Sequence, residues 1–381
     1  MTTIAEFARQ ASAAVRGWTA FEARQTVRAR GVEVEARVRV LPQDRVSVHF
    51  TKYQSQLAEL DELLGGGAEF ARDDLEGASL AFDGRTTVHV DPRATTALRI
   101  PGRHLYEPIP GYDLLGEVRA LDDIARDFLL RDGGTSTAAS RPTRVVGLKP
   151  KRTTASSAFR WVKFALERAE VAFDAETLFP LRIAFVPARD SGAAPLLGPD
   201  ATVTVESSDV RRLDPDDDAA PALPADARVF EEVEFPIPQL TEVAPFRVPV
   251  DAARSMGYEL VGDSARLVLD AARERGYATL LLAKPDERGR AEGVVTLRVG
   301  NYLSRWMARR RTLATERGER VDESGVRANY LDRRTLWKAS EGAEGLPALA
   351  DLVWEKDGIF HVIAAEGVTR EDLIALGAAL I

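Results

Sequence analysis

The sequence contains no cysteine, and this absence removes several kinds of chemistry at once. Without a thiol, the chain of 381 residues has no disulfide, no cysteine-ligated zinc site, no iron–sulfur cluster and no thiolate nucleophile. Its four histidines, His49, His89, His104 and His361, are widely scattered and form no paired metal-binding motif. We therefore expect neither a bound metal nor a cofactor.

Basic surfaces and long apolar runs are also lacking. The chain has 51 Lys+Arg against 59 Asp+Glu, and the resulting net charge of -8 argues against a general nucleic-acid binder. No stretch approaches the run of about 18 apolar residues that a membrane span needs. The N-terminus does not resemble a signal peptide, so we expect a cytoplasmic protein if Met1 is the native start, and an exported one if a leader has been removed.

Motifs for nucleotide binding and for hydrolysis do not occur either. No GxGxxG follows a strand pattern, and neither GxxxxGK[ST] nor GxSxG is present. The glycines at 65–67 follow a helix-like stretch, which favours a helix end over a phosphate loop. The Asp-rich stretch 209–227 lacks the spacing of a calcium loop and is interpreted as solvated. With no nucleophile–base pair visible, we expect a protein that is not an enzyme.

What the sequence has in abundance is alternation of apolar and polar residues, the pattern of a strand with one buried face. In residues 32–40 the apolar side consists of Val32, Val34, Ala36, Val38 and Val40. After a turn at 42–44, residues 46–50 continue the pattern, which predicts an antiparallel hairpin. On this parity His49 and His89 are expected to face solvent.

Helices are predicted at both ends of the chain and between them. Thr3 and Glu6 form a capping-box pattern at the start of residues 4–16, and Gly17 is expected to end that helix. Thr369 is expected to cap a helix at the C-terminus. Helical spacing is also found at 113–132 and at about 263–275.

Turn signals divide the rest of the chain into strands. Asp83-Gly84 and Asp357-Gly358 each predict a tight hairpin turn. Strand-length segments rich in valine, isoleucine and aromatic residues also fill much of 144–208. Near Phe246 the run of strand-like segments gives way to a proline-punctuated stretch and a helix-like one. We therefore expect two domains, a meander at 1–243 and a small α+β domain at 244–381.

One basic run, RWMARRRTL, starts at Arg305. Its arginines are candidates for contact with an anionic surface, such as lipid headgroups or an acidic partner. The candidates are Arg305, Arg309, Arg310 and Arg311. The alternative is a solvated connection between strands, in which the arginines pair with acidic residues of the same chain.

The order of these segments resembles the LolA-like family of bacterial envelope carriers and binders of lipoproteins and lipids, whose fold RseB-type regulators of envelope stress share. The resemblance is carried by the N-terminal helix, WTAFEARQTV, VEVEARVRVLPQDRVSVHF, FDGRTTVHVDP, VVGLKPK, FRWVKFALE and the closing strand FEEVEFPIP. These pieces cover about two thirds of the chain. The segment LVWEKDGIFHVIAAEGVTREDLIALGAAL is similar to a small domain of unknown function found in bacterial envelope proteins.

The resemblance implies the α+β class, with an incomplete, strongly curved antiparallel β-barrel (a half-barrel) under a helical lid. An acyl chain can fill the interior of such a fold without any catalytic group, because each buried methylene contributes about 0.8 kcal/mol. The candidate lining residues are Trp18, Phe21, Val32, Val34, Val38, Val40, Val48, Phe50, Val88, Val90, Phe164, Leu166, Phe173, Ile183 and Phe185. Ordinary core packing is the alternative role for each of them.

One departure limits what the resemblance implies. In the lipoprotein carrier an arginine precedes the proline of the first hairpin and helps to hold the lid shut, whereas Leu41 precedes Pro42 here. The open–close cycle is therefore not carried over. We expect a non-enzymatic binder or carrier of a lipid or lipoprotein acyl chain in the cell envelope or periplasm. The alternative is an RseB-type sensing module that binds an anti-sigma factor or another envelope protein.

Overall fold

The computed structural model describes most of the chain, as strands with few helices. The described residues are 3–29, 32–43, 45–55, 76–91, 93, 95–102, 128–151, 166–188, 202–217, 223, 225–262, 264–285, 291–323, 325–336 and 348–380. The helices are α1 (Ile4–Arg16), α2 (Ile237–Val243), α3 (Val250–Ser255), α4 (Arg305–Arg317) and α5 (Arg370–Ala379), with a 3-10 helix at Arg333–Leu336.

The strands follow one another along the chain with short connections in several places. They are β1 (Phe21–Ala29), β2 (Val32–Val40), β3 (Val46–Ser55), β4 (Ser79–Phe82), β5 (Thr86–Val90), β6 (Thr96–Pro101), β7 (Phe128–Ala138), β8 (Arg141–Pro150), β9 (Leu166–Asp174), β10 (Pro180–Pro187), β11 (Val203–Arg212), β12 (Arg228–Pro236), β13 (Glu259–Leu260), β14 (Ser264–Asp270), β15 (Gly276–Pro285), β16 (Ala291–Gly300), β17 (Glu319–Glu323), β18 (Val326–Asp332), β19 (Leu349–Lys356) and β20 (Ile359–Glu366).

The chain divides into two compact units. Among the described residues, those within 3–55, 76–93 and 102–223 form the first unit, and those within 95–101 and 225–380 form the second. The predicted boundary at 243/244 differs from this division, because β12 pairs with β14 and so belongs to the second unit.

Helix α1 begins and ends where the sequence predicts. The Thr3 hydroxyl accepts a hydrogen bond from the Glu6 amide at 3.3 Å, and the Glu6 carboxylate accepts one from the Thr3 amide at 2.8 Å. This reciprocal capping box satisfies two amides that the first helical turn leaves without carbonyl partners. The helix ends at Gly17, as predicted.

The sheet of the first unit is antiparallel throughout. Its pairing order is β5, β4, β3, β2, β1, β11, β10, β9, β8, β7. The sheet is curved, and in the described part of the chain no pairing joins β7 back to β5. The predicted α+β class and incomplete β-barrel are therefore confirmed.

The sheet of the second unit has helices on both sides. Its pairing order is β6, β12, β14, β15, β16, β20, β19, β18, β17, and only the β6–β12 pair in this series is parallel. Leu352 packs with Leu373 and Leu376 of α5, whereas the next residue, Val353, packs with Trp306 of α4. Because successive strand residues project to opposite sides, α4 and α5 cover different faces.

Two predicted helices differ from the structure. The end of the predicted helix 113–132 is strand, since β7 begins at Phe128; its earlier residues lie outside the described ranges. The predicted helix at 263–275 is the strand β14, whose Leu267, Val268 and Leu269 are all buried. A strand covered on both faces shows no alternation, and a short apolar run of this kind has no distinguishing period. FRWVKFALE is described only from Leu166 onward, in β9.

Candidate functional site

A continuous apolar band crosses the first unit's sheet from one strand to the next. Directly paired residues project to the same side of a sheet, so a row of cross-strand pairs marks one face. The row runs through Val146 (β8), Val171 (β9), Ile183 (β10), Val205 (β11), Val27 (β1) and Val34 (β2). Each of these side chains is 5% exposed or less. We call the side that carries this row the apolar face.

Neighbouring rows extend the apolar face along the strands. One contains Leu148, Ala169, Phe185 and Val203 in β8 to β11. Another contains Ala23, Val38, Val48 and Leu80 in β1 to β4. All eight side chains are buried. Burying a side chain of valine or leucine size contributes about 1.5–3 kcal/mol, so the burial of this face stabilises the sheet.

The opposite side of the same strands is charged. Glu22 of β1 receives hydrogen bonds from Arg39 of β2 at 2.6 Å and from Arg211 of β11 at 2.9 Å. Burial opposes the ionisation of Glu22, but these two hydrogen bonds outweigh it and hold the pKa of the carboxyl below its usual value. Arg24 pairs with Glu35 on the same side. The alternation predicted from the sequence therefore separates an apolar side from an ionic one.

Helix α1 and the segment that follows it cover one end of the apolar face. The Phe7 ring meets Phe173 edge-on with centroids 5.8 Å apart. Phe179 contacts Trp18 at 4.9 Å and Phe21 at 5.4 Å, again edge-to-face. Such aromatic pairs contribute about 0.5–1.5 kcal/mol beyond their area burial.

Most of the predicted lining residues are buried in the first unit. Those on the apolar face or beside α1 are Trp18, Phe21, Val34, Val38, Val40, Val48, Phe50, Leu166, Phe173, Ile183 and Phe185. Phe164 and the side chain of Val32 lie outside the described residues. Contact of any of these residues with a ligand stays a prediction.

The strand register corrects the prediction for His89. Val38 pairs with Val48, Val48 with Leu80, and Leu80 with His89. His89 therefore projects to the apolar face, where it is 3% exposed, and does not face solvent. His49 is exposed, as predicted.

Val88 and Val90 are corrected by the same register. Because they alternate with His89 in β5, both project to the side opposite the apolar face. Val88 is half-buried and Val90 is buried. The prediction failed because valine was taken to mark the apolar side of β5, although only the partner strands determine which side that is.

The basic run of the second unit forms the helix α4. Its Ser304 hydroxyl caps the helix by accepting from the Met307 amide at 3.3 Å. Arg310 is only 4% exposed and pairs with Asp351 at 2.6 Å, so the prediction that it contacts an anionic surface is wrong. Arg311 pairs with Glu355 at 3.2 Å, and Arg309 is half-buried. The side chain of Arg305 lies outside the described residues.

One polar pair on the apolar face was not predicted. Gln25 of β1 lies directly opposite Ser207 of β11, and its Nε2 donates to the Ser207 Oγ at 3.3 Å. The sequence did contain a signal, because Phe21, Gln25 and Val27 share one parity in FEARQTVRA. A polar residue at a position with apolar parity indicates a group that must be satisfied inside.

Neither a cluster of metal ligands nor a helix able to span a membrane is found in the described part of the chain. Within it, no three His, Cys, Asp or Glu side chains cluster in a way that would hold a metal ion. None of its helices combines the length and the hydropathy that crossing a membrane requires.

Comparison of sequences assigns no family. No family model matches the chain, and neither does any curated protein.

Comparison of structures finds several proteins of the group that the sequence motifs resemble. The MucA/MucB complex of Pseudomonas aeruginosa contains a chain that is 14% identical, with a TM-score of 0.31 and 97% of each chain covered. Lipoprotein LppX of Mycobacterium tuberculosis is 10% identical, with a TM-score of 0.31, and covers 56% of this chain and 97% of its own. A LolA superfamily protein of Nitrosomonas europaea is 10% identical, with a TM-score of 0.23 over 54% of this chain and 94% of its own. Likenesses of this size assign neither ligand nor partner.

Proposed function

We propose that the first unit binds the acyl chain of a lipid or lipoprotein against its apolar face, in the bacterial cell envelope and without catalysing a reaction. The observation that carries the proposal is the row of six buried aliphatic side chains from Val146 to Val34, which crosses six strands without a charged residue. An acyl chain needs only such a surface, since its affinity comes from methylene burial. The resemblance of the sequence to LolA-like proteins supports the same proposal.

Binding is tested with a fluorescent fatty acid and with native mass spectrometry after mild purification. We expect the protein to bind the probe and to retain an acyl species. Val38→Asp places a charge on the apolar face and should abolish probe binding or folding. Thr51→Asp introduces the same group at an exposed position beside Phe50 and should change neither.

A gentler variant keeps the test informative if Val38→Asp does not fold. Val38→Thr places a hydroxyl on the apolar face, and burying a hydroxyl costs far less than burying a charge, so we expect a folded protein with weaker probe binding. A protein that is reproducibly empty, ignores the probe and captures an envelope protein would contradict acyl binding and favour the sensing module.

A further inference from the structure

The Gln25–Ser207 pair interrupts the apolar face at its centre. Gln25 is 3% exposed and Ser207 is fully buried. The adjacent row of the face contains Val27 and Val205, which pair two residues further along the same two strands. On the other side of Gln25 in β1 is Ala23, which pairs with Val38. Gln25 therefore lies between two apolar residues of β1, each about 7 Å away along the strand, and Ser207 lies next to Val205 in β11.

The pair uses little of its hydrogen-bonding capacity. A glutamine amide offers two N–H donors and a carbonyl acceptor, and a serine hydroxyl offers one donor and two acceptor lone pairs. The structure shows one side-chain hydrogen bond for these two residues, from Gln25 Nε2 to Ser207 Oγ, and its length of 3.3 Å is at the long end of the range. In the described part of the chain the Ser207 hydroxyl proton has no side-chain or backbone acceptor.

Such a pair is costly for a face that functions only as core. Buried polar groups with unused capacity lose their hydration without full compensation, and two apolar residues of similar shape would avoid that loss. Sites for small molecules have the opposite requirement, because a few polar groups on an apolar wall fix the orientation of the ligand.

We propose that Gln25 and Ser207 anchor the carbonyl of a bound acyl ester. The Ser207 hydroxyl donates to the ester carbonyl oxygen, while the Gln25 amide donates to Ser207 and holds its rotamer. The apolar rows on either side receive the acyl chain. This inference rests on the proposed function and sharpens it, since it selects carbonyl-bearing acyl chains over plain hydrocarbons.

The test compares two ligands of similar length and shape in the full chain. Methyl palmitate carries the ester carbonyl and octadecane does not, and each competes with a fluorescent fatty acid for the protein. We expect the wild type to prefer the ester about five- to tenfold, as one hydrogen bond to a neutral group allows. Ser207→Ala should remove that preference and leave octadecane binding unchanged or stronger.

Ser208→Ala is the matched control. It makes the same substitution one residue along β11, where the side chain projects to the charged side and pairs opposite Arg24. The ester preference should persist in this variant. The double variant Gln25→Met/Ser207→Ala removes both polar partners at similar volume, so it should fold with undiminished stability and show no preference.

Two sources of the ester are separated by two further probes. Dipalmitoylglycerol represents a free lipid, and a peptide with an S-diacylglyceryl cysteine represents a lipoprotein. If Ser207→Ala binds one of these probes about five- to tenfold more weakly than the wild type and Ser208→Ala does not, the anchor is supported and that probe identifies the source.

Two results would overturn the inference in different ways. If the wild type binds octadecane and methyl palmitate equally, or if Ser207→Ala weakens both alike, the pair is structural and acyl binding stands. If the wild type binds none of the probes, the proposed function fails and the anchor fails with it.

Discussion

At the scale of single residues, the most unusual group in the second unit is Asp351, which is fully buried between two arginines. Arg310 of α4 contacts one carboxylate oxygen at 2.6 Å, and the Arg333 Nε lies 3.2 Å from the other. Arg333 also donates to the Ala365 carbonyl at 2.7 Å. Burial lowers the pKa of Arg333, and the Asp351 charge opposes that shift. The carboxylate thus joins β19 to α4 and to the 3-10 helix, and Arg333 links this group to β20.

Removing this charge should be strongly destabilising. Asp351→Asn removes the buried charge that faces both guanidinium groups, and we expect a loss of about 3–5 kcal/mol in the free energy of unfolding. Glu355→Gln makes the same chemical change in the same strand, at a partly exposed pair with Arg311. It should cost at most about 1 kcal/mol. Denaturant unfolding of the two variants measures the difference, and equal losses would contradict the assigned role of Asp351.

His361 should make stability depend on pH. It stacks on Trp354 with ring centroids 4.6 Å apart, and burial lowers its pKa from 6.5 to about 4. The unfolded chain therefore takes up this proton near pH 6.5 while the folded chain does not, so stability falls as pH drops from about 6.5 towards 4. At pH 5 the loss amounts to about 2 kcal/mol.

His361→Phe keeps an aromatic ring against Trp354 and removes the titration. The difference in unfolding free energy between pH 7 and pH 5 should shrink by about the same 2 kcal/mol in this variant. An unaltered slope in His361→Phe would show that the group does not titrate as described.

At the scale of elements, two glycines bring neighbouring strands of the second unit unusually close. A Cβ on Gly300 of β16 would lie 2.5 Å from the Tyr277 Cα and would clash with the Gly276 carbonyl oxygen. These are backbone atoms, so the strands β15 and β16 would have to separate.

We therefore expect Gly300→Ala to destabilise the protein by about 1–3 kcal/mol, as overpacking does. Gly147→Ala is the control in β8, where the new Cβ would meet Arg131 at an ordinary contact distance of 3.6 Å. That variant should be neutral or more stable by up to about 1 kcal/mol, because alanine restricts the unfolded chain. Thermal unfolding distinguishes the two, and a stabilised Gly300→Ala would refute the close approach.

The elements that the sequence predicts correctly are those with one solvent-exposed face or with a capping motif in the sequence. Residues 32–40 alternate cleanly because their polar side carries charges, and α1 shows its capping box in the sequence. β14 was missed because α4 and α5 cover both faces of its sheet. α4 was missed because its buried stripe of Trp306, Met307, Arg310 and Ala314 includes an arginine, which hides the apolar period.

Much of the candidate site follows from alternation within single strands, but its composition does not. The side that His89 occupies depends on its pairing with Leu80, and the polar centre of the face depends on Gln25 meeting Ser207, 182 residues away in the chain. Pairings between distant strands are set by the whole fold, so parity alone could not reveal them.

At the scale of the whole molecule, the second unit is not formed by one continuous segment of the chain. β6 lies in the first third of the sequence, yet it pairs with β12 in the second unit, with Leu98 beside Phe230. Leu98 and Ile100 are buried there with Val268 of β14. No division at a single residue can therefore separate the two units.

This arrangement predicts where a core mutation early in the chain acts. Leu98→Ala should lower the stability of the second unit by about 2–5 kcal/mol and accelerate amide hydrogen exchange in β12 and β14, while β1 and β2 of the first unit keep their protection. Leu80→Ala, the same substitution at a position only slightly earlier in the chain, should do the reverse, since Leu80 pairs with Val48 on the apolar face. If Leu98→Ala accelerated exchange in β1 and β2 instead, β6 would belong to the first unit, and a cut between Leu223 and Pro224 would then divide the molecule cleanly.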